Sequence, residues 1–209
     1  SGSAYVFDRD QGGPGNWGQV AKITAADGAQ YDEFGWSVAI SADLAAVGAQ
    51  WDDVATGSAY VFDRNQGGPD AWGQVAKLTA SDVEASDNFG ESVSISGDTV
   101  IVWAHYDNND GSGSGSAYLF SRTGTTWTEQ QKLTASDAAE GDYFGYSVSI
   151  SGTTAVVGAF WDDDGGTDSG SGSGSNSGSG SNSGSGSGIG SGIGCGFGSD
   201  FGAGGATGI

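Results

Sequence analysis

A block of about 55 residues occurs three times along this 209-residue chain, which limits the fold to architectures built by stacking copies of one unit. Gly-Ser-Ala-Tyr-Val-Phe stands at Gly2 to Phe7, returns at Gly57 to Phe62, and recurs with Leu for Val at Gly115 to Phe120. Trp17, Trp72 and Trp127 follow, then Val20-Ala21-Lys22-Ile23-Thr24, Val75-Ala76-Lys77-Leu78-Thr79 and Gln130-Gln131-Lys132-Leu133-Thr134. Phe34-Gly35, Phe89-Gly90 and Phe144-Gly145 come next, and each block closes on Val47-Gly48-Ala49, Val102-Trp103-Ala104 or Val157-Gly158-Ala159. The third Gly-Ser-Ala arrives late, yet Trp127 is back in register. One loop, Asp107 to Ser114, has therefore lengthened and another, between Arg122 and Trp127, has shortened, as loop tips tolerate.

One period contains four short runs suited to strands: Ser37 to Ser41, Leu44 to Ala49, Ser58 to Arg64 and Gln74 to Ala80. They are rich in Val, Ile, Tyr, Phe and Thr and are separated by Gly, Asp, Asn and Pro, while no segment sustains a helical period. The pattern predicts four antiparallel strands per period. Their mixed Ala, Val, Ser and Gly content suits a sheet covered on both faces by neighbouring sheets, as propeller blades are. The expected fold is all-β and propeller-like. Residues 1–25 would form a third and fourth strand and residues 147–160 a first and second, leaving two complete blades between two half-blades. The blade domain is predicted over 1–164 and a Gly/Ser-rich tail over 165–209.

Phe34-Gly35-Trp36-Ser37-Val38-Ala39-Ile40-Ser41, Phe144-Gly145-Tyr146-Ser147-Val148-Ser149-Ile150-Ser151 and the closing Val-Gly-Ala resemble the FG-GAP repeat family, to which the propeller of integrin alpha subunits belongs. The resemblance covers roughly residues 1–164. It implies a four-stranded blade, an extracellular or cell-surface setting and, often, calcium in the blade loops. The Asp-x-Asp-x-Asp-Gly loop of the integrin-type repeat is missing, because the turn that would hold it is only Ala42-Asp43, Gly97-Asp98 or Gly152-Thr153. Acids gather instead after the Gly-Ala strand. Asp52, Asp53, Asp107, Asp110, Asp162, Asp164 and Asp168 form the candidate calcium set, since calcium wants six to eight oxygens and turn carboxylates supply some of them. Solvated turn residues are the alternative. Asp27 with Asp32, Asp82 with Asp87 and Asp137 with Asp142 precede each Phe-Gly and are expected to cap turns.

Six Lys+Arg against 26 Asp+Glu give a formal charge of −20, which argues against nucleic acid and anionic membrane surfaces. Every base occupies a repeat position: Arg9, Arg64 and Arg122 after the Phe, Lys22, Lys77 and Lys132 after the Trp. They are expected to pair with repeat carboxylates or to cover blade surfaces. No run of 18 apolar residues exists, so membrane insertion is not expected, and the lone Cys195 builds no disulfide framework. The chain begins at Ser1 without a charged-then-apolar leader, so export is not read from a signal peptide. His105 is the sole histidine, standing where Gln50 and Phe160 stand in the other copies, and no nucleophile, base and orienter recur together. No enzymatic activity is expected.

From Ser169 to Asp200 the tail alternates Gly with Ser, Ile, Cys or Phe almost without a break, a strand period. It reads either as a strand added between neighbouring copies or as a flexible linker. Since a closed propeller takes four to eight blades, half-blades that complete each other head to tail predict a structural protomer of an extracellular filament, its partners being copies of itself. The alternative is a calcium-binding adhesin propeller whose Trp51, Tyr106 and Trp161 hold glycans or cell-surface proteins, although blade packing is the expected role of those rings.

Overall fold

The computed structural model describes residues 1–108 and 112–162. Twelve strands follow in chain order: β1 Ala4–Arg9, β2 Trp17–Ile23, β3 Val38–Ser41, β4 Leu44–Ala49, β5 Ser58–Asp63, β6 Gly73–Leu78, β7 Val93–Ser96, β8 Thr99–Ala104, β9 Ser116–Thr123, β10 Thr126–Leu133, β11 Phe144–Ser151 and β12 Thr154–Ala159. Among the described residues β3 to β6 form one antiparallel four-stranded sheet and β7 to β10 a second, while β1–β2 and β11–β12 are two-stranded. All-β blades and half-blades therefore stand where the repeat places them. The tail, with Asp110, Asp164 and Asp168 of the candidate calcium set, lies outside the described residues.

Register repeats as the sequence does. Leu44 faces Asp63 and Ala49 faces Ser58 across β4–β5, as Thr99 faces Ser121 and Ala104 faces Ser116 across β8–β9. A bulge interrupts the outer hairpin at the same place in each blade, at Val6/Phe7, Val61/Phe62 and Glu129/Gln131, which increases the local twist.

The Phe-Gly pair joins each blade to the one before it. Phe89 is fully buried with its ring edge-on to Tyr118 and Phe120 of its own blade, at centroid distances of 5.6 and 5.9 Å, and Phe34 sits on Tyr60 and Phe62 in the same way. The Phe89 backbone N–H donates to the Thr56 carbonyl of the preceding blade at 3.1 Å. Gly57, at φ +86°, lies against the backbone of Phe89, and Gly115, at φ +77°, against that of Phe144; a Cβ at either position would collide. The recurring Gly of Gly-Ser-Ala and the recurring Phe are thus two halves of one contact.

At the first joint Gly48 backs onto Gly90 with no space for a side chain. At the second, Trp103 replaces that glycine, is fully buried, and donates its Nε1–H to the carbonyl of Phe144 at 2.7 Å. Its ring stacks on His105 at 4.8 Å, and His105 in turn meets Glu91 through Nδ1 at 2.8 Å. His105 is part of this joint.

Candidate functional site

Two copies of one charge cluster brace the complete blades. Lys77 Nζ lies 2.6 Å from Asp52, 2.8 Å from Asp27 and 3.2 Å from Asp53, above the Tyr60 ring, whose hydroxyl donates to Asp52 at 3.1 Å. Lys132 Nζ lies 2.6 Å from Asp107 and 2.9 Å from Asp82, above the Tyr118 ring, whose hydroxyl, with its one proton, is within hydrogen-bond reach of both Asp82, at 2.8 Å, and Asp107. Burial alone would lower both ammonium pKa values; the hydrogen bonds they donate to these carboxylates outweigh it and hold them above the ordinary lysine value. Burial first, then the neighbouring carboxylates, pushes both tyrosine hydroxyls up. Asp27 is held below the usual carboxylate range by its bond to Lys77. Asp82 is raised by burial but lowered further by Lys132 and Tyr118.

Asp52 and Asp107, singled out in the sequence as calcium ligands, are therefore buried against a cation the chain itself supplies. Asp53 is exposed and shares Lys77, and Asp162 follows β12. Among the described residues no three His, Cys, Asp or Glu side chains converge as metal ligands. Asp32, Asp87 and Asp142 cap turns as expected: Asp87 accepts the Glu84 N–H and Asp142 the Ala139 N–H, each at 2.6 Å, and Asp32 accepts that of Ala29. Asp27 and Asp82, expected to cap as well, also pair with Lys77 and Lys132. On the opposite loops Arg64 pairs with Asp8 at 2.8 Å and Arg122 approaches Asp63 at 3.8 Å, each reaching the preceding blade.

The same loop face that carries the lysine clusters opens into a groove of about 850 Å³ between the two complete blades. Tyr31, Trp51, Val54 and Tyr106 supply its apolar walls, and Asp27, Asp53, Gln30 and Asn88 its polar groups. Trp51 is 51% exposed and Tyr31 72%, so Trp51 is not consumed by blade packing. Tyr106 and Trp161 do join packed rings: Tyr106 lies 4.0 Å from His105, and Trp161 5.2 Å from Tyr143. Asp53, Val54 and Ala55 run consecutively at φ +49°, +67° and +63°, a conformation costly for Val, and this turn lifts Val54 to 85% exposure. Trp51 and Tyr106 stand out in the sequence as aromatics beside acids, whereas no local signal marks Tyr31 or the left-handed turn.

Antiparallel four-stranded blades, joined through Phe-Gly and braced by a recurring Lys-Asp-Tyr cluster, define a propeller-type repeat protein. The chain belongs to the FG-GAP repeat family, whose repeat matches residues 17–62, 72–120 and 127–173. Each of the first two matches begins on the fourth strand of one blade and ends on the third strand of the next, so a sequence repeat interlocks two blades. No curated protein matches the chain. Among the described residues no helix is long and apolar enough to cross a membrane.

Proposed function

We propose that the chain is a non-catalytic recognition module of an extracellular or cell-surface protein, in which a repeated frame presents a variable loop face to a partner. The groove between the two complete blades carries this reading. Lys, Asp and Tyr recur in the frame beneath it, whereas its rim changes from copy to copy: Tyr31 corresponds to Ser86 and Gly141, and Trp51 to Tyr106 and Trp161. Half-exposed rings beside carboxylates and amides give apolar contact area with oriented hydrogen bonding, the composition of a binding pocket. The test is retention of the purified chain on an array of immobilised polysaccharides and matrix proteins, compared with Trp51→Ala. Retention lost in the variant supports the groove, and retention unchanged on every surface overturns it.

A second reading, association with further copies, has its own observation. β1 and β12 each leave one edge without a partner strand among the described residues. Val38 and Ile40 beside β1 are exposed, whereas their counterparts Val93 and Ile95 are buried. Pairing of β12 with β1 of another copy in the β4–β5 register would cover them and would give the filament expected from the sequence. Mass measurement of the chain at rising concentration tests it: oligomers that disappear with Val156→Pro support self-association, and a monomer throughout contradicts it.

A further inference from the structure

The geometry points to a specific occupant for the groove: a glycan chain whose units carry a protonated amine, that is, an amino-sugar polymer. This rests on the reading of the loop face as a recognition surface. The walls offer ring faces, Trp51, Tyr31 and Tyr106, to which the flat C–H face of a pyranose packs, and a groove of about 850 Å³ has room for more than one unit. Gln30 and Asn88 supply both donors and acceptors for hydroxyl groups.

Charge selects among glycans. Asp52 is buried between Lys77 and the Tyr60 hydroxyl, and Asp32 accepts a backbone N–H, so neither is free to turn outward. Asp27 and Asp53 are the exposed carboxylates of the groove, and together with buried Asp52 they share the ammonium of Lys77. Three carboxylates against one lysine leave a net negative rim on a chain of formal charge −20. That field repels sulfated or carboxylated glycans and attracts an ammonium held on a sugar ring. A basic peptide meets the same charge but brings a cation on a long flexible stem, which gains little from broad ring faces and loses more rotamer freedom on binding.

The experiment is a titration of the whole chain, followed by tryptophan fluorescence and calorimetry, with a glucosamine hexamer, its fully N-acetylated counterpart and a lysine-rich decapeptide, at a pH where the amines are protonated. Glucosamine hexamer is expected to bind at least about tenfold more tightly than the acetylated chain, a difference of roughly 1.4 kcal/mol. Trp51→Ala is expected to weaken it by about tenfold or more and Asp53→Asn by about fivefold, with Trp17→Ala, on exposed β2, unchanged. Thermal melts of the variants guard against unfolding. Equal binding of the acetylated hexamer, or binding of the decapeptide alone through Trp51, overturns the amino-sugar assignment and leaves the recognition module standing. Absence of hexamer binding also overturns the assignment; if Trp51→Ala then fails to alter retention on the surface array, the module reading falls with it.

Discussion

Replacing Lys132 by Met is the sharpest test of what holds a blade together. The substitution keeps the aliphatic volume over the Tyr118 ring and removes the ammonium that lies 2.6 Å from Asp107 and 2.9 Å from Asp82. Leaving one member of a buried pair without its partner costs about 3–5 kcal/mol. Asp107 is buried, but Asp82 is partly exposed and water screens it, and the single Tyr118 hydroxyl proton remains within reach of either carboxylate. Discounting for these gives about 2–3 kcal/mol, or a fall in melting temperature of about 4–12 °C. The internal control is Lys22→Met. Lys22 occupies the same repeat position, lies 5.6 Å from the Tyr5 ring, and has no ion-pair partner among the described residues, so its removal is expected to cost at most about 1 kcal/mol. Urea denaturation followed by near-ultraviolet circular dichroism reads both. Equal costs for the two substitutions would refute the reasoning, and restoration of Lys132→Met by millimolar calcium would show that a cation other than lysine suits the carboxylates.

Other consequences are more direct. Phe89→Ala empties the contact with Tyr118 and Phe120 and is expected to cost about 3–5 kcal/mol in the same denaturation assay. Gly57→Ala, placed against the Phe89 backbone at φ +86°, is expected to destabilise more than Gly97→Ala, whose φ is also positive but whose Cβ would meet open space; a comparison of melting temperatures ranks them. Asp27 and Asp82 have folded-state pKa values below their unfolded ones. Their contribution is complete above the unfolded carboxylate value near 4 and is lost as pH falls through the lowered values. Burial raises Asp87, so its contribution has the opposite sign and is relieved by protonation. Stability measured from about pH 5 to pH 2 is therefore expected to fall, and to fall less steeply in Asp82→Asn.

Much of the frame was visible in the repeat because a strand of alternating Val, Tyr and Phe and a turn of Gly and Asp report their own conformation locally. Leu44 to Ala49 is a strand to the residue, and the other three runs differ by a residue or two at their ends. That the repeat lysines pair with repeat carboxylates was legible, but which carboxylates they reach was not. Lys132 reaches Asp107 and Asp82 across separations of 25 and 50 residues, and only the stacking of strands in a blade brings those positions together. Sequence shows the acidity of Asp52 and Asp107 without showing the lysine that faces each of them. Trp103, at a position where the other copies have Gly, was visible as a departure, but its hydrogen bond to Phe144 and its stack on His105 depend on the blade that follows. The groove was least legible, since its lining comes from four loops and includes the left-handed turn at Asp53, Val54 and Ala55.

Mapping of amide and indole chemical shifts on addition of glucosamine hexamer tests the central claim most directly, because it locates the partner on the molecule. Perturbations confined to Tyr31, Trp51, Asp53, Asn88 and Tyr106 are expected, with Tyr5 on β1 and Val156 on β12 unmoved. Perturbations centred on β1 and β12, with Trp51 silent, would contradict it and would place recognition at the blade edges.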